Sequence, residues 1–166
     1  MPFSVNENVV YPIFGVGRIT ALVEKRFAEE EARLYYEVTG AHSTLWVAVD
    51  EAQGRGLRRL TRAEDLAQFR AILLARPEPL NPDFRQRQKD VRSLLQRGRL
   101  QDICEVVRDL SGRGWLKPLS SYDAEALRKS SNSLYEEWAA VERFSLAEAS
   151  VEVTGLLQQA RRAFRV

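Results

Sequence analysis

The chain has 166 residues, of which 45% are hydrophobic and 29% charged, a composition typical of a globular protein with one large domain or two small ones. The formal net charge is only +2, so the chain as a whole is neither strongly basic nor strongly acidic. No apolar run approaches the roughly 18 residues that a membrane-spanning helix requires. The first residues also lack the basic and apolar regions of a signal peptide. We therefore expect a cytoplasmic protein without a membrane segment.

The sequence offers little for catalysis. It holds one cysteine, Cys104, which excludes an internal disulfide and lies in an apolar stretch that predicts a small buried side chain rather than a nucleophile. His42 is the single histidine, so zinc sites of the usual ligand types are excluded. Gly15 and Gly17 lack the third glycine and the following helix of a dinucleotide-binding loop. We predict that the protein is not an enzyme and uses neither a cofactor nor a metal ion.

The first third of the chain predicts β-strands. Short runs rich in valine, isoleucine, tyrosine and tryptophan, separated by polar or glycine-containing segments, cover residues 3–5, 9–11, 18–24, 34–38 and 45–49. Between the second and third runs, Pro12 with Gly15 and Gly17 predicts a tight bend. Five short strands at this spacing indicate a small antiparallel β-barrel of the SH3 or Tudor kind. Because such barrels host many functions, this fold alone assigns none.

From Thr61 onward the apolar period becomes helical. A capping box at Thr61–Glu64 predicts the first helix, which residues 76–79 terminate with two prolines. Asn81 as N-cap with Pro82 at the first helical position predicts a second helix to about residue 96.

Three further helices complete this part of the chain. The third is predicted to end at Gly112 and Gly114, and the fourth carries an apolar stripe that includes Trp138. A second capping box, Ser145–Glu148, opens the fifth, whose predicted inward residues are Leu146, Ala149, Val153, Leu156, Leu157, Ala160 and Phe164. We predict an α+β protein with a β domain over residues 1–58 and a compact five-helix bundle over residues 59–166.

The second helix concentrates positive charge. Residues 1–76 carry ten basic and ten acidic side chains, whereas residues 84–99 carry six basic ones and one acid. Arg85, Lys89 and Arg92 share one helix face, and Phe84 stands beside them at the helix N-terminus, which itself attracts phosphate. An exposed aromatic beside basic residues is how architectural proteins wedge between base steps from the minor groove. The alternative is a solvated charged face with Phe84 packed internally, and burial of more than about half of Phe84 would favour it.

Three motifs carry a family resemblance. The pattern Val-Val-Tyr-Pro-x-x-Gly-Val-Gly-x-Ile at residues 9–19 resembles the opening of the CarD family, bacterial regulators that bind RNA polymerase. A tryptophan-containing strand at residues 46–49, followed by Gly-Leu-Arg at residues 56–58, is similar to the same family. So is the segment Glu-Val-Val-Arg-Asp-Leu at residues 105–110, which resembles the family's most recognisable helix. Asn6 and Ala48 depart from the glycine and proline common at those positions, which indicates a divergent member.

The resemblance implies two sets of contact residues. Phe84 falls where CarD proteins usually carry the tryptophan that wedges at the upstream edge of the promoter bubble, and Arg87 and Lys89 match basic positions beside it. In the β domain, the resemblance places Lys25, with Arg26 as the neighbouring candidate, and Trp46 at the positions that face the polymerase β subunit; Trp46 replaces a frequent arginine. The expected DNA contacts are therefore Phe84, Arg85, Arg87, Lys89 and Arg92, and the expected polymerase contacts are Lys25, Arg26 and Trp46.

These expectations combine into one hypothesis with two rivals. The protein is predicted to be a transcription regulator, acting as a monomer on the nucleoid, that binds RNA polymerase β and stabilises the open complex through contacts with promoter DNA that do not depend on its sequence. The first rival is a docking module that contacts a protein partner without wedging into DNA. The second is an RNA-binding barrel, which would cluster basic and aromatic residues on the β domain, where the charge is instead balanced.

Overall fold

A computed structural model describes residues 2–165 and divides the chain into two compact units, Met1–Leu60 and Thr61–Val166. The division lies two residues beyond the boundary predicted from sequence. The first unit contains the strands and the second contains the helices, which gives the α+β class expected. In the described part of the chain, no helix is both long enough and apolar enough to span a membrane.

The first unit is a five-stranded antiparallel sheet with the strand order β4-β3-β2-β1-β5. Its strands are β1 (Asn8–Tyr11), β2 (Gly15–Lys25), β3 (Arg33–Thr39), β4 (Thr44–Ala48) and β5 (Arg58–Arg59). Since side chains alternate between the two faces of a strand, one face of the sheet builds the core around Ile19, Tyr36, Val38 and Val47.

The predicted first strand, residues 3–5, is not a strand. Phe3 is buried against Tyr36, with ring centroids 5.7 Å apart in an edge-to-face arrangement, and the chain then turns through Asn6, whose φ is 77°. Phe3 therefore serves core packing rather than strand pairing, whereas Val5 is exposed. The fifth strand is instead Arg58–Arg59, which pairs with Val9 and Val10 of β1; two adjacent arginines carry no apolar alternation that could reveal a strand.

The predicted bend between β1 and β2 is confirmed. Tyr11 pairs with Gly15 across the turn, and both Ile13 and Gly15 have positive φ, 72° and 97°. Gly17 is required for a different reason, because a Cβ there would lie 2.8 Å from Cγ1 of Val38 on the neighbouring strand. The turn and the close strand contact thus explain the glycine pattern of this segment.

The second unit contains the five predicted helices. After a short 3-10 turn at Ala63–Asp65, they are α1 (Leu66–Leu74), α2 (Phe84–Arg97), α3 (Leu100–Leu116), α4 (Ser121–Glu142) and α5 (Leu146–Ala163). Their shared core includes Leu73, Cys104, Leu134, Trp138 and Val153. Trp138 is fully buried and its indole Nε1 donates to Glu152 at 3.0 Å, so the one polar atom of that ring is satisfied.

One predicted capping box forms and the other does not. Ser145 and Glu148 cap α5 reciprocally, as predicted. Thr61 instead donates its backbone N–H and its hydroxyl to Oε2 of Glu137, at 3.2 and 2.6 Å. Glu137 is 1% exposed, and a buried carboxylate requires donors more strongly than an exposed helix end does. The α2 N-cap is likewise Asp83 rather than Asn81, with its carboxylate accepting from the Gln86 N–H at 3.1 Å.

Two helix ends also differ from prediction. The third helix continues through Gly112 to Leu116, because Gly112 is buried against Pro77 and serves close packing rather than termination. Leu146 and Phe164, predicted to face inward, are 57% and 37% exposed because they lie at the two ends of α5, beyond the packed middle of the helix.

Two candidate interaction surfaces

The first candidate surface is the face of the β sheet opposite its core, called here the outer sheet face. Cross-strand register places Ala21, Glu37 and Trp46 side by side, and Val23, Tyr35 and Ala48 form the next row. Residues paired in this way point to the same face of the sheet. On this face Tyr35 and Ala48 are buried, whereas Trp46 is exposed and Ala21 and Val23 are partly exposed.

Lys25 and Trp46, both predicted to contact polymerase, come together on this face. Nζ of Lys25 lies 3.6 Å from the centroid of the Trp46 ring, within cation–π range. Trp46 Nε1 donates to Oε2 of Glu37 at 3.3 Å, which orients the indole while 38% of the residue stays exposed. Arg26 is exposed just beyond the end of β2. The pair thus presents a cation and a large aromatic ring in one place.

Sequence reasoning missed two aromatic residues beside this pair. Phe27 is 44% exposed and packs edge-to-face on Tyr35, with centroids 5.2 Å apart. Arg33 extends the patch, since its Cζ lies 6.0 Å from the Tyr35 ring centroid and its Nη2 donates to Asp50 at 2.7 Å. The signal in the sequence was the alternation along β3, which puts Arg33, Tyr35 and Glu37 on the outer face once the register is known.

The second candidate surface belongs to α2. Arg85, Lys89 and Arg92, called here the basic face, are all exposed, as the i, i+4, i+7 spacing predicted. The opposite side of the helix buries Val91 and partly buries Leu94 in a cluster with residues of α3 and α4. This packing holds the basic face toward solvent on a rigid helix.

Arg87 does not join the basic face. It is only 4% exposed, and its Nε donates to Oδ2 of Asp123 at 3.0 Å. Its Nη1 donates to the backbone carbonyls of Asn81 and Pro82, at 3.0 and 3.2 Å. The expectation of a DNA contact at this position came from the basic stretch of the helix and from the family resemblance, neither of which reveals that the buried carboxylate of Asp123 pairs with the guanidinium. Arg87 therefore supports the start of α2.

Phe84 is partly covered. It is 44% exposed; the Tyr122 ring meets it edge-to-face with centroids 6.3 Å apart, and Cζ of Arg87 lies 5.5 Å from its centroid. Slightly more than half of Phe84 is thus covered, which falls just on the side that favours the internally packed alternative. Phe84 is the first residue of α2, so its exposed part lies on the same helix as the basic face.

The described residues form neither a metal site nor a reactive thiol beside these surfaces. In residues 2–165, no group of three or more histidine, cysteine, aspartate or glutamate side chains could hold a metal ion. Cys104 is fully buried, and burial, followed by the carboxylates of Glu137 and Glu105, raises the pKa of its thiol far above the ordinary value. The thiol is therefore protonated and shielded rather than nucleophilic.

These features define a two-unit α+β protein: an antiparallel β unit with a cation–aromatic surface, followed by a helical unit with an exposed basic helix. Two family models match the chain. "CarD-like/TRCF RID domain" covers residues 3–61, and "CarD, C-terminal domain" covers residues 68–154. The chain belongs to the CarD family.

A curated relative agrees with this assignment. The protein named "Putative transcription factor YdeB" from Bacillus subtilis (strain 168) is 26% identical over 136 residues, which cover 81% of this chain and 89% of the relative. The chain is therefore a non-enzymatic, transcription-related protein with a domain of the kind that interacts with RNA polymerase.

Proposed function

We propose that the protein binds the β subunit of RNA polymerase through its outer sheet face and stabilises the promoter open complex by contacting DNA at the upstream edge of the bubble. The observation that carries the proposal is the start of α2, where a partly exposed aromatic residue, Phe84, precedes three exposed cations on one helix face. The protein would act as a monomer, and its binding to RNA polymerase would associate it with the nucleoid.

The pairing of Lys25 with Trp46 supports the polymerase contact. Tryptophan is enriched among the residues that dominate binding energy at protein interfaces, and Trp46 is held by Glu37 with more than a third of its surface exposed. Lys25 keeps a cation at the ring, so the pair suits a partner surface that combines an acidic group with an apolar recess. Arg26, exposed at the end of β2, adds a cation for the same partner.

The basic face supports the DNA contact. Arg85, Lys89 and Arg92 would neutralise phosphates, a contribution that is independent of DNA sequence and weakens as salt rises. Phe84 would enter a base step from the minor groove, as apolar wedges of architectural proteins do. Promoters that melt easily would then respond differently from those that resist melting, because the deformation energy differs.

Polymerase binding would supply most of the affinity for DNA. Once the β unit is docked, the helical unit is held near the promoter, which raises its effective concentration without any new contact. Free DNA would then be bound weakly, and the wedge would act only at the bubble.

A docking module without a wedge is the second candidate. The observation that favours it is the cover on Phe84, of which slightly more than half is packed against its neighbours. In that function the β unit would still bind its partner, and replacement of Phe84 would leave the bubble unaffected.

The deciding experiment measures bubble lifetime on a linear promoter with the cognate polymerase and a fluorescent base at the upstream edge. Wild-type protein should lengthen the lifetime, and Phe84→Ala should lose most of that gain while still binding polymerase. Phe164→Ala is the matched control, since Phe164 has a similar exposure, 37%, at the far end of α5. If wild type and Phe84→Ala lengthen the lifetime equally, the wedge is rejected and the docking module is retained.

The polymerase contact has its own test. Lys25→Ala and Trp46→Ala should each weaken binding to purified β subunit, whereas Arg55→Ala, which removes an exposed arginine paired with Glu51, should not. Equal affinities for all four proteins would show that the outer sheet face is not the docking surface.

A further inference from the structure

A buried ion pair between α2 and α4 determines the position of Tyr122 beside Phe84. It is the second residue of α4, which begins at the N-cap Ser120. Its neighbour Asp123 is 2% exposed and pairs with Arg87, which lies three residues after Phe84 on α2. The ion pair thus ties the start of one helix to the start of the other. Phe84 and Tyr122 are carried together by this buried link.

The two rings form a single aromatic edge. Their centroids are 6.3 Å apart with an interplanar angle of 76°, an edge-to-face geometry that aromatic pairs prefer. Phe84 is 44% exposed and Tyr122 is half-buried, so both keep surface toward solvent. Together they offer a wider apolar contact than a single phenyl ring.

The hydroxyl of Tyr122 is held at the basic face. Nη2 of Arg92 donates to Tyr122 Oη at 3.3 Å, which connects the ring pair with a cation of the surface already described. A phenol donates as well as accepts, so this hydroxyl has a hydrogen to offer to an acceptor atom of DNA. A phenylalanine at position 84 has no such donor, whereas the indole of the family's tryptophan would have one.

We propose that Tyr122 is a second DNA-contacting residue, which forms with Phe84 a two-ring wedge at the bubble edge and supplies its hydrogen-bond donor. This inference rests on the proposed function, since it assumes that the start of α2 meets promoter DNA. It adds a residue from a different helix, one that sequence reasoning did not select. Tyr122 contacts the DNA beside the base step that Phe84 enters, and Arg87 with Asp123 positions both rings.

The first test is the bubble-lifetime assay with variants of both rings. Tyr122→Ala should lose at least about half of the gain in lifetime that wild type gives, and Tyr122→Phe should lose a smaller part because the ring remains. Since the two rings act as one unit, Phe84→Ala combined with Tyr122→Ala should be little worse than Phe84→Ala alone. Melting curves of each variant would identify any that fails to fold.

The second test detects contact directly and separates it from a purely structural role. A promoter carrying 5-iododeoxyuridine at the upstream edge of the bubble is irradiated in the complex with polymerase, and the crosslinked peptide is identified by mass spectrometry. A crosslink at Tyr122 supports the two-ring wedge, because a residue that only buttresses Phe84 from behind would not react with the base.

The outcomes distinguish this inference from the function on which it rests. If Phe84→Ala loses the gain while Tyr122→Ala retains it and only Phe84 crosslinks, the single wedge stands and the role of Tyr122 is rejected. If wild type neither lengthens the lifetime nor crosslinks through either ring, the proposed function fails and this inference fails with it.

Discussion

Nε of Arg87 lies 3.0 Å from Oδ2 of Asp123, and both side chains are at most 5% exposed. The same guanidinium holds two carbonyls of the segment that precedes α2. Arg113 approaches the same carboxylate at 3.9 Å, so Asp123 is a shared anion at the meeting point of three helices. Because a buried charge is costly unless it is paired, this contact fixes how α2, α3 and α4 meet.

Removing one partner of the pair should destabilise the helical unit strongly. Asp123→Ala leaves a buried arginine without its carboxylate, and loss of about 3–5 kcal/mol of unfolding free energy is expected from such a change. Denaturant unfolding of the full chain, followed by tryptophan emission, measures it. Arg128→Ala is the control, since its pair with Glu125 at 2.5 Å is largely exposed and should contribute nothing measurable. Equal losses in both variants would contradict the structural role of Asp123.

Gly112 and Gly155 should respond to alanine with opposite signs. A Cβ on Gly112 would lie 2.4 Å from Cβ of Pro77, whereas none of the described atoms outside the helix lies within 4 Å of a Cβ on Gly155. Gly112→Ala should therefore cost about 1–3 kcal/mol through overpacking, and Gly155→Ala should stabilise α5 by roughly 0.5–1 kcal/mol. Thermal melts of the two variants give the comparison. Stabilisation by both would show that Pro77 does not pack on α3.

Ile13 occupies a turn position that suits glycine. Its φ is 72° and it is 94% exposed, so its side chain adds strain without burial. The left-handed region costs about 1–2 kcal/mol for residues other than glycine, and the greater freedom of glycine in the unfolded chain offsets roughly 0.5–1 kcal/mol of the gain. Ile13→Gly should thus raise the stability of the β unit by up to about 1.5 kcal/mol. Gly15→Ala, at φ 97°, should lower it, and both are measured by denaturant unfolding.

The thiol of Cys104 should report opening of the helical unit. It is fully buried and its pKa is raised by burial and then by nearby carboxylates, so reaction with a disulfide reagent requires unfolding. Native protein at pH 8 should react more slowly than denatured protein by on the order of 1,000-fold or more, as an opening free energy of several kcal/mol implies. Rapid labelling of the folded chain would place the thiol at the surface.

The same thiol makes stability depend on pH. The pKa of the Cys104 thiol is higher in the folded protein than in the unfolded chain. Its contribution to the free energy of unfolding is therefore complete below the unfolded-state pKa of about 8.5 and is lost as pH rises above that value. Unfolding free energy should therefore decline above about pH 8.5, and less steeply in Cys104→Ala. Parallel declines in the two proteins would remove Cys104 as the cause.

The basic face should set the salt dependence of DNA binding. Each phosphate contact contributes about 0.9 to the slope of log affinity against log salt. Arg85→Ala, Lys89→Ala and Arg92→Ala should each reduce that slope by roughly one such contribution, with a similar effect on promoters of different sequence. The measurement is a salt titration of binding by the polymerase complex. Lys129→Ala, which removes a 70% exposed cation from α4, should leave the slope unchanged.

Much of the fold followed from local patterns. The apolar runs of β2, β3 and β4, the turn before Gly15 and the apolar stripes of the helices each depend on residues close together in the chain. The exposure of Arg85, Lys89 and Arg92 followed from helical spacing in the same way. The family resemblance added the expected partners, which the family models support at the level of transcription and RNA polymerase.

The tertiary structure decided what depends on distant neighbours. The sequence predicted Arg87 as a surface cation, but it donates to the buried carboxylate of Asp123. It predicted Thr61 as a helix cap, but Thr61 donates to the buried carboxylate of Glu137. The position of Tyr122 beside Phe84, 38 residues earlier, likewise follows from how two helices pack. Sequence by itself determined the periodic features of this protein, since period and spacing are properties of the chain. Which charges are buried and which rings meet was decided only in three dimensions, because the desolvation of each polar group depends on every element packed against it.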